Sequence, residues 1–373
     1  MDPFRCLRVS QLLLDYQLHI AGEFEPAVQR IVVDATLTAF SRVVDQALER
    51  QVDCVLIDGE CFDPENPGLR GPAALIRGLN RLAERGIAVI IDAPPKIWSA
   101  WPAGLRWPPY AHRLGLGLET SVPITRDGRY LGTVSGDSQD DWHTTWQVSL
   151  PDEAGATGAF QLSESAGPLT GLNPQHTGPH GCQYIEVHPE WGVQTTFLPQ
   201  APVRWERYCA QLSPEMSRDD LLQDLATQLE CSPRSDGEQV RLVTWVFSGD
   251  HPLLDRLTAD RPRQDFLDDL ALLDPLPGVT VHTHAMRIRR VSHKERQVTP
   301  MEDLAAEFLD RLQNRLSSPE AAWRACLANS ELTGNPWEVK LDSLYGDCDA
   351  DDLACDARRL AGQWFAADED LSS

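Results

Sequence analysis

Glu60 and Asp63 sit three residues apart in Gly59-Glu60-Cys61-Phe62-Asp63, directly after the apolar run Val52–Ile57. Two carboxylates just past a buried strand suit a hard divalent cation or a general acid–base pair. The same residues also read as a loop aspartate capping the next segment beside a solvated glutamate. Cys61 between them would need a base or a positive field to become a nucleophile, whereas neighbouring carboxylates raise a thiol pKa. Histidines form a second group. His176 and His180 lie in a turn-rich loop with His188 close behind, and His282-Thr283-His284 places two imidazoles on one face of a strand, a spacing that can bind metal. Arg287, Arg289, Arg290, Lys294 and Arg296 make up the one basic cluster. It suits a nucleic-acid backbone, an acidic partner surface or a solvated strand end. Trp98, Trp101, Trp107 and Tyr110 lie among prolines, where aromatic rings either stack on bases or pack a loop onto its domain.

Two hydrophobic periods alternate in the elements that must position these residues. Leu37, Phe40, Val43, Val44, Ala47 and Leu48 recur at helical spacing within Ala35–Arg50, with Asp34 as an N-cap. A strand at Val52–Ile57 follows, then a helix over Leu69–Arg85 closed by Gly86, then a strand at Ile87–Ile91. Strand, helix and strand with short connections make a βαβ unit, so the fold class is α/β with a partly parallel sheet. An active centre in such a sheet belongs in the loops at the strand C-termini, here Ser10–Asp15, Asp58–Asp63 and Asp92–Lys96. From Trp98 to Pro202 short strands alternate with turns, and Asp152–Gly178 reads as loop. Helices at Ser217–Glu230 and Leu253–Leu273, with strands at Gln239–Phe247 and Val279–Arg290, indicate a small α+β domain. An amphipathic helix is expected over Met301–Leu316, with Leu304, Phe308, Leu312 and Leu316 in register. The tail from Asp347 is acidic and carries one further helical stretch, Leu353–Phe365.

The chain of 373 residues carries Lys+Arg 33 against Asp+Glu 56, a formal charge of −23. At roughly 150 residues per domain, this length suggests about two domains. An excess of negative charge gives no overall attraction for nucleic acid or an anionic membrane, so any DNA contact needs a local basic patch or a partner that supplies one. No apolar run approaches the ~20 residues of a membrane span. The first residues, Met1–Arg5, show no charged segment leading into a long apolar one. Nine cysteines, an odd number without a C-x-x-C pair, fit reduced thiols. A cytoplasmic protein is expected.

Several separated segments carry a family likeness. Ala39–Asp63, Leu75–Ile91, Ser99-Ala100-Trp101, Gly178–Val187, and Phe197-Leu198-Pro199 through Val203-Arg204-Trp205 occur in one order. Together they resemble the SbcD-type DNA-repair exonuclease branch of the calcineurin-like metallophosphoesterases, over about residues 4–205. The resemblance implies a calcineurin-like metallophosphoesterase sandwich at 1–205, a small α+β capping domain at 206–298, and C-terminal helices that bind a partner at 299–373. The motifs themselves depart from the family. Its D-x-H in the first loop is matched by Gln11 and Leu13, and only Asp15 agrees with a residue common in the branch. G-D-x-x-D stands as Gly59-Glu60-x-x-Asp63, G-N-H-D is replaced by Ala93-Pro94-Pro95-Lys96, and G-H-x-H has no counterpart in Asp137–Gly171.

Leu13 cannot bind a metal and Lys96 would repel one. The resemblance with these departures implies a kept fold and a lost metal site: no catalytic residue, Glu60 and Asp63 as metal remnants, and no cofactor, or Mn²⁺ if the site is rebuilt. The implied role is that of a catalytically impaired SbcD-like subunit in DNA-end processing and repair. Its partner would be an SbcC-like SMC-type ATPase gripped through Leu304, Phe308, Leu312 and Leu316. DNA would be met through the complex, with a homodimer through the phosphoesterase domain and no membrane partner. Two alternatives stay open: an active metal-dependent exonuclease or phosphoesterase with ligands drawn from Glu60, Asp63, His143, His176 and His180, and a scaffold outside DNA metabolism.

Overall fold

The computed structural model of the chain describes residues 3–289, apart from 19, 21–23, 64–67, 115–119, 139–143, 152–156, 163–166, 250 and 274–275. The helices expected at Met301–Leu316 and Leu353–Phe365 lie outside the described residues, as do His143, Arg290, Lys294 and Arg296. In chain order the elements begin with β1 (Phe4–Ser10), α1 (Pro26–Val33), α2 (Ala35–Glu49), β2 (Cys54–Asp58), α3 (Arg70–Ala83), β3 (Ala88–Asp92) and α4 (Pro95–Ser99). There follow β4 (Ala111–Leu114), β5 (Ser121–Arg126), β6 (Arg129–Ser138), β7 (Thr144–Pro151), β8 (Thr157–Leu162), β9 (Gly181–His188) and β10 (Gly192–Pro199). The remainder is β11 (Val203–Leu212), α5 (Arg218–Cys231), β12 (Val240–Gly249), α6 (Pro252–Arg256), α7 (Asp260–Ala271) and β13 (Thr280–Arg289).

Side chains on a strand alternate between its two faces, and β1 shows what that does here. Leu7 and Val9 face α2 and α3, joining Val55, Ile57, Val89 and Ile91 with Phe40, Val43, Leu75 and Leu79 in one buried cluster. Phe4 and Cys6 face the other way, into a second cluster with Leu56, Ile90, Val134, Trp146 and Val148. The six-stranded sheet β10-β9-β1-β2-β3-β4 therefore lies between a helical layer and the four-stranded sheet β5-β6-β7-β8. Strands β1 to β4 run parallel, and β9 and β10 add antiparallel at one side. A third sheet has the order β11-β12-β13. The result is a mixed α/β fold with several sheets, and no helix among the described residues is long and apolar enough to cross a membrane.

The chain divides into two compact units. The first holds the described residues up to Arg207, with Asp224–Thr244 and Asp268–Ala285. The second holds Tyr208–Gln223, Trp245–Leu267 and the described residues from Met286 on. In the second unit Tyr208 packs on Trp245 with centroids 5.4 Å apart, and Phe247 meets Phe266 edge-on at 5.7 Å.

The structure departs from the sequence pattern in four places. Asp34 makes no side-chain cap for α2; its carboxylate pairs instead with Arg70 of α3. The stretch Leu253–Leu273 is two helices, because the Thr258 hydroxyl donates to the Asp255 carbonyl at 2.6 Å and ends α6. Pro262 then suits the first turn of α7, where its missing N–H costs nothing. Within the expected loop Asp152–Gly178, β8 forms despite its glycine and alanine content, since pairing with β7 from Trp146↔Leu162 to Pro151↔Thr157 outweighs local preference. Helices α1 and α4 and the short strand β4 are additional.

Gly78 lets α3 lie close against α2: a Cβ there would fall 2.5 Å from Phe40 Cε1 and 3.1 Å from Val44 Cγ2. Glycine-to-alanine in a helix interior ordinarily gains about 1 kcal/mol, but overpacking a tight contact costs about 1–3 kcal/mol. Gly78→Ala, with the buried Phe40 ring at 2.5 Å placing the overpacking in the upper part of that range, is therefore expected to lower stability by up to about 2 kcal/mol, read as a lower urea midpoint. An unchanged or higher midpoint would mean the two helices have room to part.

Candidate functional site

Ser10, Asp58 and Asp92 are the last residues of β1, β2 and β3, and they stand side by side in register. Asp58 is 0% exposed and Asp92 4% exposed. Two adjacent buried carboxylates are costly unless cations or donors face them. Arg8, also buried, donates Nε to Asp58 Oδ1 and Nη2 to Oδ2, both at 3.3 Å, and the Ser10 hydroxyl donates to Oδ2 at 2.9 Å. The Thr144 hydroxyl donates to Asp92 Oδ2 at 2.9 Å. Arg8 also reaches the carbonyl oxygens of Thr144 at 3.0 Å and Leu162 at 3.1 Å, so one polar chain links both sheets. Burial raises the Asp58 carboxyl above its ordinary value, and Arg8 and Ser10 oppose that rise without cancelling it.

The loops beyond these strands are zipped together through their backbones. N–H groups of Gln11, Leu13 and Leu14 donate to the carbonyls of Asp58, Glu60 and Cys61 at 2.8, 3.1 and 2.9 Å. The first loop makes this route with Gln11, Leu13 and Asp15 at φ 48°, 40° and 71°. Left-handed backbone costs an L-residue about 1–2 kcal/mol, and such strain concentrates at functional sites. Asp15 accepts from the Gly71 N–H at 3.2 Å and faces Arg70 at 3.8 Å, so it serves the first turn of α3.

Glu60 is nearly buried, and the Lys96 ammonium lies 2.5 Å from its Oε1. Lys96 belongs to α4, whose first turn is set by the fixed φ of Pro95. Cys61, fully buried, has its thiol pushed up to about 12, first by burial and then by Asp58 and Glu60. It is a thiol at neutral pH, which rules out a ready thiolate nucleophile. A two-cation phosphoesterase centre needs carboxylate, imidazole and amide donors around ions about 3.5–4 Å apart. Here Asp58 is engaged by Arg8, Glu60 by Lys96, and the first loop presents Leu13. The donor set does not fit two divalent cations. Among the described residues no group of three or more His, Cys, Asp or Glu side chains is placed to hold a metal ion.

The other candidates are engaged elsewhere. Asp63 follows the bridge Leu14↔Phe62 at the edge of the second loop and is part-buried. His176 and His180 have ring centroids 6.2 Å apart. Both ring nitrogens of His180 lie 3.1 Å from carbonyl oxygens, those of Pro168 and His176, and burial lowers its pKa. His188 stacks on Trp191 at 4.1 Å. The pair His282 and His284 packs against Phe24 and Trp205 at 4.2 and 4.9 Å. Trp98, Trp101 and Trp107 form one cluster, and their indole N–H groups donate to the carbonyls of Ala93, Leu105 and Ala111. Those bonds fasten the proline-rich loop to itself and to the third strand's end, while Tyr110 stays exposed. Arg287 and Arg289 lie on β13. Arg8, Ser10, Asp58, Asp92 and Thr144 were not singled out from sequence, although an arginine within an apolar strand and an aspartate ending two successive strands were signals.

The chain is similar to an uncharacterized metallophosphoesterase, YhaO, of Bacillus subtilis (strain 168), at 27% identity over 114 residues. The matched stretch is 30% of this chain and spans 28% of that relative's length. No family model matches. The similarity supports the metallophosphoesterase superfamily, with which the mixed α/β fold is consistent, and does not single out a branch within it.

Two outcomes follow from these contacts. Arg8→Met leaves Asp58 uncompensated and is expected to cost about 3–5 kcal/mol, whereas pairing it with Asp58→Leu should recover much of the loss; denaturant titration of both variants checks this. His180 has its pKa lowered from 6.5, so the buried neutral ring must take up a proton against burial and the nearby Arg204 charge. Its contribution is complete above about pH 6.5 and is lost as pH falls through the folded value. Stability of the protein should drop below about pH 6.5, and His180→Gln should flatten that part of the curve.

Proposed function

We propose that this chain is a metallophosphoesterase-fold subunit whose cation site has been exchanged for tethered ammonium and guanidinium groups. It serves a DNA-end-processing assembly by binding rather than by hydrolysis. The similarity to YhaO supports a phosphoesterase-type origin. The observation that carries the non-hydrolytic reading is Lys96 against Glu60, a fixed positive charge on the one motif carboxylate that survives in altered form. A bound divalent cation would have to displace that ammonium and share the space with it. The left-handed backbone at Gln11 and Leu13 adds support, since it keeps the strained course of a ligand-bearing loop while its side chains are no longer ligands.

In this reading the partner is an SMC-type ATPase of the SbcC kind, engaged by the apolar stripe Leu304, Phe308, Leu312 and Leu316. DNA is met within the complex, with Arg287, Arg289, Arg290, Lys294 and Arg296 as the basic strip in a chain of charge −23.

Calorimetric titration of Mn²⁺ into the chelator-stripped protein tests the first half, and no saturable heat is expected. Near two equivalents at micromolar affinity would overturn it and return the chain to the active enzymes, with ligands sought among Glu60, Asp63, His143, His176 and His180. In the same preparations, an SMC-type ATPase should co-purify with the full chain and be lost on Phe308→Asp. Retention by that variant would remove the proposed stripe.

A further inference from the structure

Two cavities open at the N-terminal ends of β1, β2 and β3, the opposite ends of the strands that carry Ser10, Asp58 and Asp92. At about 3.3 Å per strand residue, roughly 20 Å separates the two ends of β1. One cavity measures about 350 Å³ and the other about 260 Å³, and Arg126 and Asp127 line both. The larger falls at the lower end of ordinary ligand sites, about 300–1,000 Å³, and the smaller adjoins it across the shared wall of Arg126 and Asp127.

The larger cavity is lined by Arg5, Arg85 and Arg126 with Asp53 and Asp127. Asp53 is already spent. It accepts from the Arg5 N–H at 2.8 Å and from Arg126 Nε at 2.6 Å. It thereby fixes the Arg126 guanidinium, whose five donors exceed what one carboxylate can accept. Arg5 is held by Glu186 at 3.3 Å. Arg85, and Arg129 in the smaller cavity, have no ion-pair partner among the described residues. With Glu186 counted, four guanidinium groups face three carboxylates, which leaves a positive locus in a chain of charge −23. A concave, low-dielectric wall focuses such a field.

The smaller cavity is as polar as it is apolar, with Phe4, Leu131, Leu150 and Pro151 in its wall opposite Arg126, Asp127 and Arg129. Beside them the Tyr130 ring is 47% exposed, its hydroxyl bonded to Thr133 Oγ1 at 2.6 Å. A flat exposed ring adjoining an arginine-lined recess matches a ligand with a planar apolar group at one end and an oxyanion at the other. Arginine's planar fork suits phosphate, and an aromatic face suits a base.

We propose that these two adjoining open recesses bind a nucleotide 5′-phosphate, the phosphate against Arg85 and Arg126 and the base on the exposed ring of Tyr130. The source is a free nucleotide or the 5′-phosphorylated end of a DNA strand. The site is independent of the fate of the cation centre, so either reading can fail alone.

Calorimetry of the full chain with AMP, inorganic phosphate and a 5′-phosphorylated oligothymidylate provides the test. Saturable 1:1 binding of AMP is expected, weakened at least about tenfold by Arg85→Glu, as loss of a hydrogen bond to a charged group implies. Tyr130→Ala should weaken AMP and leave inorganic phosphate unchanged. Both substitutions are at exposed side chains, and an unchanged denaturation midpoint verifies the fold. AMP binding tighter than the oligonucleotide assigns the site to free nucleotides, and the reverse order assigns it to strand ends. No binding of AMP at millimolar concentration, or equal affinity in Arg85→Glu, overturns the proposal.

Discussion

Arg8 reaches from the middle of β1 across the sandwich interior to the carbonyl oxygens at Thr144 and Leu162, while its other edge holds Asp58. A buried guanidinium is stable only when nearly all its donors find acceptors, and here the acceptors come from three strands of two different sheets. The bond therefore acts on geometry more than on net stability. It fixes which ends of β7 and β8 lie over the C-terminal ends of β1 and β2, since no other register presents those carbonyls to the same side chain. Hydrophobic contacts between the sheets supply the bulk of the burial, but they tolerate sliding; the guanidinium does not.

From that fixed register the rest of the strand-end region follows. Thr144 gives its carbonyl to Arg8 and its hydroxyl to Asp92, so the start of β7 is tied to β1 and to the end of β3 together. With Asp58 and Asp92 held, the carbonyls of Asp58, Glu60 and Cys61 stand ready for the N–H groups of the first loop. That pairing is what maintains left-handed backbone at Gln11 and Leu13. Lys96, set by the short helix that Pro95 begins, then closes the region by neutralising Glu60.

The parallel sheet was legible because its strands are short apolar runs between amphipathic stretches, and Val52–Ile57 and Ile87–Ile91 could be little else. The three loops at its C-terminal edge followed directly from that topology. The polar chain from Asp92 to Ser10 did not, because its partners are up to 154 residues apart and Thr144 sits beside a stretch that carries no local signal. β8 was hidden for a similar reason: Gly158 and Ala159 argue against a strand until β7 is present to pair with. Asp34 shows the converse, a residue with an N-cap's position whose carboxylate is taken by Arg70, an arginine distant in sequence. The changed motif letters, Leu13, Glu60 and Lys96, were plain in the sequence. That Lys96 meets Glu60 depended on the course of α4, which no periodicity announced.

A carboxylate cluster built for divalent cations stores repulsion when the cations leave, and its folding is coupled to metal and to pH. A counter-charge carried on the chain itself has no such coupling: it is present at every metal concentration, and it occupies the space a coordination position would need. Catalysis by metal needs the vacancy, whereas a rigid platform needs only the charge balance. The Lys96–Glu60 and Arg8–Asp58 pairs both belong to the second kind of solution. The sandwich itself is held by the two apolar layers and by the guanidinium that joins its sheets.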